Sequence, residues 1–264
     1  MDGQMPNLPL SSAPDAVKMA STGARLKELL GLETEAVAVF LLPPGQGRVP
    51  FSSFRRLEKH RYCQALMRAR HGEAVLLVPE EMACPAAAAA FGFASLPEKL
   101  ACGQGLIGFG IVSEAQTGRR MFEGMSRLPH GSVAAIAACP LRLAPAVPDV
   151  VVVEGPPEPL MWLLLADLNL AGGERRVGST AVLQATCVDA TVIPHLERRM
   201  NYSLGCYGCR EATDLAPAET VIGFPGERLE PLLSALEQLA DRAIPRSREK
   251  ATFAHLQSKE ASHG

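Results

Sequence analysis

Five of the chain's seven cysteines recur in a pattern that constrains the fold more than any other feature. Cys63 lies in a helix-like run, and Cys84 follows a run that reads as a buried strand. Cys187 and Cys206 repeat that arrangement in the second half, and Cys209 completes a C-x-x-C. The two spacings are 21 and 19 positions. Further on, Ile107-Gly108-Phe109-Gly110 finds an echo in Ile222-Gly223-Phe224-Pro225. The offsets between paired landmarks are 124, 122 and 115, the drift expected of two copies that differ in loop length. The pattern predicts an internal duplication, with halves at about 36–128 and 149–243 whose thiols face each other.

Strand-like and helix-like runs alternate between two polar ends, 1–20 and 245–264, which read as mobile tails. Residues 36–42 form a short apolar run closed by Pro43-Pro44-Gly45, and 54–70 is helix-like with a plausible C-cap at His71-Gly72. Strands are expected at 74–78, 106–112, 132–138, 149–153, 202–204 and 221–224. Helices are expected at 85–91, 113–128, 160–170, 180–199 (kinked near Pro194) and 229–243. This alternation argues for an α/β unit over 21–244, with mixed sheet polarity because some connections are too short for crossovers.

Composition narrows the function classes. With 47% hydrophobic and 20% charged residues, the chain has ample material for a core. A formal net charge of -2 gives no electrostatic reason to bind nucleic acid or an anionic membrane. The first twenty residues lack an apolar signal-type run, and the greasiest segment, 160–171, is short and interrupted by Asp167 and Asn169. A cytoplasmic location is expected, where thiols stay reduced. Seven cysteines then point to metal ligation or thiol chemistry rather than to a disulfide scaffold.

Cys84 directly precedes Pro85, a residue favoured at the first helical position, so its thiol is expected at an N-cap. A thiolate is favoured there by unpaired N–H groups. Cys206-Tyr207-Gly208-Cys209 is flanked by Gly205, which lets the backbone bend around sulfur. Zinc knuckles, iron–sulfur sites and dithiol redox motifs all use this spacing, but zinc normally draws on a second C-x-x-C, and the chain has no other. A thioredoxin-type pair is expected at a helix N-terminus early in its domain, so the late position argues against one. Cys63 and Cys187 sit in helical patterns, with His60 on the same face as Cys63. Cys102 and Cys139 have no counterparts and read as structural. Two other motifs fail on context. Gly103-Gln104-Gly105-Leu106-Ile107-Gly108 spells a dinucleotide fingerprint but precedes a strand-like run, and 173–180 has P-loop spacing with Ser179 where lysine is required.

The runs Arg61-Tyr62-Cys63-Gln64, Glu81-Met82-Ala83-Cys84-Pro85 and 203–210 (SLGCYGCR) resemble the domain-of-unknown-function family 169 of archaea and bacteria, over roughly residues 24–245. The resemblance implies an α/β protein with cysteine-centred motifs and supplies no reaction. From the residues themselves, an iron–sulfur protein with a redox or cluster-dependent role in anaerobic metabolism or metalloenzyme support is expected. Cys63, Cys84, Cys187 and Cys206 or Cys209 would ligate a [4Fe–4S] cluster, with Arg210 and His60 tuning it or binding an anionic substrate. A redox or metalloenzyme partner protein is implied. The alternative is a zinc-stabilised thiol module that binds a small molecule or metal without catalysis.

Overall fold

The central strands form where apolar residues run without a break, because both faces of the sheet are covered there. The computed structural model describes residues 13–45, 49–174 and 177–261. Its strands are β1 (Val37–Leu42), β2 (Arg55–Arg56), β3 (Val75–Leu77), β4 (Ala135–Pro140), β5 (Val150–Gly155), β6 (Asn201–Ser203) and β7 (Thr220–Pro225). They make one seven-stranded sheet in the order β2-β3-β4-β1-β5-β7-β6. Only β2 and β3 run parallel; every other neighbouring pair is antiparallel. The protein is α/β with a mixed sheet, as its alternating pattern predicts.

The helices are α1 (Ala13–Leu30), α2 (Tyr62–Arg70), α3 (Pro85–Ala90), α4 (Glu98–Ala101), α5 (Gln104–Gly108) and α6 (Ala115–Glu123). They continue with α7 (Pro157–Ala171), α8 (Ile193–Glu197), α9 (Tyr207–Ala212), α10 (Leu229–Arg248) and α11 (Ala251–Ala261). A π-helix spans Ala185–Val192, directly before α8. Alternate strand residues serve two cores. Ala38, Phe40, Ala137, Cys139, Val151, Val153 and Phe224 pack under α1, α7 and α10. On the other face Val37, Val39, Ile136, Val150, Val152 and Val221 meet α2, α3, the π-helix and α9. That second face carries the thiols.

Several local expectations are corrected. Residues 106–112 do not form a strand. Gly103, at φ 84°, opens α5 in a left-handed conformation, and its backbone lies so close to Gly118 that only glycines fit. Residues 107–110 are therefore not the structural counterpart of 222–225. The helix expected over 54–70 begins only at Tyr62, because Arg55 and Arg56 pair with β3 and Lys59 adopts a positive φ of 51°. Thr180–Arg199 resolves into the π-helix and α8, with Pro194 in the first turn of α8 where a missing N–H is harmless. Residues 13–20, expected as tail, open α1, which buries Met19, Leu26 and Leu30. Residues 245–261, also expected as tail, continue as helix through α10 and α11. Residues 1–12 and the pair Arg175-Arg176 of the failed P-loop lie outside the described residues.

Candidate functional site

The thiols converge. Cys63, Cys84, Cys187, Cys206 and Cys209 all line one cavity of about 510 Å³. They arrive from four separate segments: the first turn of α2, the N-cap of α3, the π-helix and the start of α9. Cys84 stands at the N-cap with Pro85 as the first helical residue, as its sequence context predicts. The helices α4 and α5 close one side of the cavity with Lys99, Leu100, Gly105 and Phe109. At the rim, the Phe109 and Tyr207 rings lie 6.3 Å apart, and both are exposed.

Cys206 and Cys209 are held by reciprocal bonds. The Cys206 N–H donates to Cys209 Sγ at 2.9 Å, and the Cys209 N–H donates to Cys206 Sγ at 3.3 Å. Cys209 is engaged further, since the Thr186 hydroxyl donates to its sulfur at 3.0 Å and the thiol donates to the Cys206 carbonyl at 3.2 Å. The motif thus opens α9, the helix N-terminal setting of a dithiol pair, although late in the chain. Gly205, at φ 77°, makes the bend that delivers Cys206 to the N-cap.

The thiols differ in acidity. Hydrogen bonding from Cys209 lowers the Cys206 pKa against the opposing effect of burial. The same pairing, with burial, drives Cys209 upward. Burial pushes Cys63 up to about 12, with Cys209 and Cys84 as negative neighbours adding to it. Cys187 is raised well above the usual thiol range by burial and by the proximity of Cys84 and Cys63. Burial therefore keeps Cys63, Cys187 and Cys209 as neutral thiols, and a metal bound there would have to displace their protons.

Among the described residues, no three His, Cys, Asp or Glu side chains stand close enough to share one metal ion. Tetrahedral zinc, with Zn–S bonds of about 2.3 Å, needs its sulfurs within roughly 4 Å of one another. The five donors on the cavity wall are all thiols, the donor type that soft metals and iron–sulfur clusters accept.

Two expected site residues lie elsewhere. His60 is not on the cavity wall; its Nδ1 faces the Glu58 carbonyl at 2.6 Å and its Nε2 accepts from Arg68 at 3.1 Å. Arg210 is also absent from the wall, because its guanidinium clamps the carbonyls of Leu204, Ala216 and Glu219. The cations on the wall are Arg61 and Lys99. Arg61 bridges to the Gly208 carbonyl at 3.2 Å and to Glu211 at 3.1 Å, tying α2 to α9. Sequence reasoning also missed Gln184, buried on the wall with φ 76°, a left-handed conformation rare outside glycine. Its amide donates to the Ala86 carbonyl on α3, which is what holds that conformation. Cys102 and Cys139 are not on the cavity wall, and Cys139 is buried on the opposite face of the sheet.

A family model described as "Uncharacterised ArCR" matches residues 25–235. The chain belongs to domain-of-unknown-function family 169. Its matched span runs from α1 to α10 and contains all five cavity thiols of this family 169 chain. The chain is similar to the "Uncharacterized protein MJ0308" of Methanocaldococcus jannaschii, with 26% identity over 225 residues, covering 84% of this chain and 95% of that relative. No solved structure matches it at a significant level. Among the described residues, no helix is long and apolar enough to cross a membrane.

Proposed function

We propose that this family 169 protein holds an iron–sulfur cluster in the thiol-lined cavity and serves as a redox or cluster-dependent protein. One observation carries the reading: five thiols from four separated segments line a single cavity. Cys63, Cys84 and Cys187, with one thiol of the C-x-x-C pair, would supply the four ligands of a [4Fe–4S] cluster. When bound, such a cluster supplies one-electron transfer or a Lewis-acidic iron. The chain's own residues line the cavity with the apolar Leu100 and Leu183 and fix Cys206 through the Cys209 N–H. A redox or metalloenzyme partner would approach the rim where Phe109 and Tyr207 are exposed.

The test is anaerobic purification followed by iron, sulfide and zinc analysis with a visible spectrum. Matched iron and sulfide with broad absorbance is expected. Serine at Cys63, Cys84 or Cys187 should cost most of the iron, whereas Cys102→Ser should cost little. A colourless protein carrying zinc would defeat the proposal.

The reciprocal N–H···S bonds of Cys206 and Cys209 favour a second reading, a dithiol redox centre. There, Cys206 thiolate attacks a substrate disulfide and expels one thiolate. Cys209 then displaces the second, closing a Cys206–Cys209 disulfide as the substrate is reduced to two thiols. An iron-free protein whose pair oxidises reversibly with a small disulfide would select this reading over the cluster.

A further inference from the structure

The strand registers of the two halves are the same. In the first half, Val37 of β1 pairs with Pro140 of β4, and Val75 of β3 pairs with Ala138 of β4. In the second half, Val150 of β5 pairs with Pro225 of β7, and Asn201 of β6 pairs with Gly223 of β7. Both β4 and β7 end on a proline that leads into a short 3-10 turn. The central pairing obeys the same relation. Val37 faces Val152 and Val39 faces Val150, with Ala38 opposite Val151 between them. Exchanging β1 with β5 maps the first of these pairs onto the second, so a pseudo-two-fold axis passes between Ala38 and Val151, perpendicular to the sheet. The strand order β3-β4-β1-β5-β7-β6 reads the same from either end under that exchange.

The helices on the thiol face follow this axis. The exchange maps α2 onto the π-helix and α3 onto α9; α3 packs on the π-helix just as α9 packs on α2. The helices α3 and α9 have six residues each, and each carries a cysteine at its N-cap. Cys63 therefore corresponds to Cys187, and Cys84 to Cys206. Cys209, the third residue of α9, corresponds to Ala87, the third residue of α3. The fifth thiol has no partner across the axis.

We infer, resting on the cluster reading above, that Cys63, Cys187, Cys84 and Cys206 are the four ligands, two pairs related by the internal axis, and that Cys209 is a positioning residue for Cys206. Hydrogen bonding separates the two thiols of the motif. Cys209 sulfur accepts from the Cys206 N–H and the Thr186 hydroxyl while donating to the Cys206 carbonyl. Those bonds engage its sulfur at the cavity wall. Cys206 sulfur accepts the Cys209 N–H and pairs with the Cys209 thiol, bonds that lie within the motif, whereas Cys209 is bonded by Thr186 as well. In a cluster protein, a thiol so placed tunes the cluster through hydrogen bonding instead of ligating it.

The experiment uses the full chain purified anaerobically, with iron, sulfide, visible spectrum and reduction potential measured on each variant and folding checked by circular dichroism. Serine at Cys63, Cys84, Cys187 or Cys206 should lower iron and sulfide by about tenfold or more, since even outer-shell partners are worth that much in affinity. Cys209→Ala should retain iron and sulfide and shift the reduction potential. Thr186→Val keeps every thiol and removes the hydroxyl donated to Cys209, so it should shift the potential in the same way even if Cys209→Ala fails to fold. Cluster loss in Cys209→Ala with retention in Cys206→Ser would overturn the assignment while leaving the cluster reading intact. Unchanged potential in Thr186→Val would overturn the positioning role. A wild-type chain that takes up no iron would overturn the cluster reading and the ligand assignment with it.

Discussion

Glu154 sits buried on β5 with its carboxylate 3.3 Å from the Arg70 guanidinium. Burial pushes its carboxyl from an ordinary 4.5 up to about 7, although Arg70 pulls the other way; Cys209, Glu219 and Asp214 reinforce the rise as negative neighbours. Because the folded-state pKa lies above the unfolded one, the protonated form favours the fold. That contribution is fully present below about 4.5 and is lost as pH rises through about 7. The melting temperature should therefore fall across this window, and Glu154→Gln should flatten the dependence; an unchanged slope in the variant would assign it to other groups. The thiols themselves were legible one residue at a time. Cys84 before Pro85 and the C-x-x-C were readable because capping and turn chemistry are local. Arg61, Lys99 and Gln184 were not, since nothing in a local pattern marks which cation or amide will line a distant cavity.

At the scale of elements, β7 and the π-helix approach each other closely on the thiol face. A Cβ at Gly223 would fall on the Ala190 carbonyl of the π-helix. Gly223→Ala should therefore cost about 1–3 kcal/mol of stability, as overpacking does in a filled core. Chemical denaturation would measure it, and a neutral result would mean the two elements yield easily. Because Ala190 is one turn from Cys187, the same variant should also disturb the cavity wall. Long apolar runs such as 36–42, 149–153 and 221–224 were legible as strands because burial on both faces demands continuous hydrophobicity. Short elements were not. The two-residue β2 exists only because β3 offers it an edge, and α5 replaces an apparent strand because glycines at 103 and 118 let two helices touch.

Across the whole molecule, Arg70 of α2 pins the first half to the second. Its guanidinium is 4% exposed and reaches Glu154 on β5, Asp214 at 2.8 Å and Glu219 at 3.2 Å, both ahead of β7. Arg70→Ala leaves these carboxylates facing one another, two of them at least partly buried. The expected loss is about 3–5 kcal/mol, the range for breaking a buried pair on one side. Denaturant titration would test it, and a loss well below that range would mean water relieves the carboxylates. The Tyr62 hydroxyl, 2.7 Å from Thr191 Oγ1, adds a second buried link between the halves. Tyr62→Phe should cost about 0.5–1.5 kcal/mol, the net worth of an ordinary hydrogen bond.

The amino-acid sequence by itself determined the α/β class, the central strands, the capping position of Cys84 and the paired spacing of the thiols. Each of these follows from periodicity or from chemistry within a few residues. Only the tertiary structure decided that five thiols share one cavity, that His60 and Arg210 stay off its wall, and that residues 107–110 belong to no strand. Cys63 and Cys187 are 124 positions apart, and what brings their helices onto one face is the order and register of the sheet. Those are set by the joint burial of every strand at once, which no local run of residues encodes.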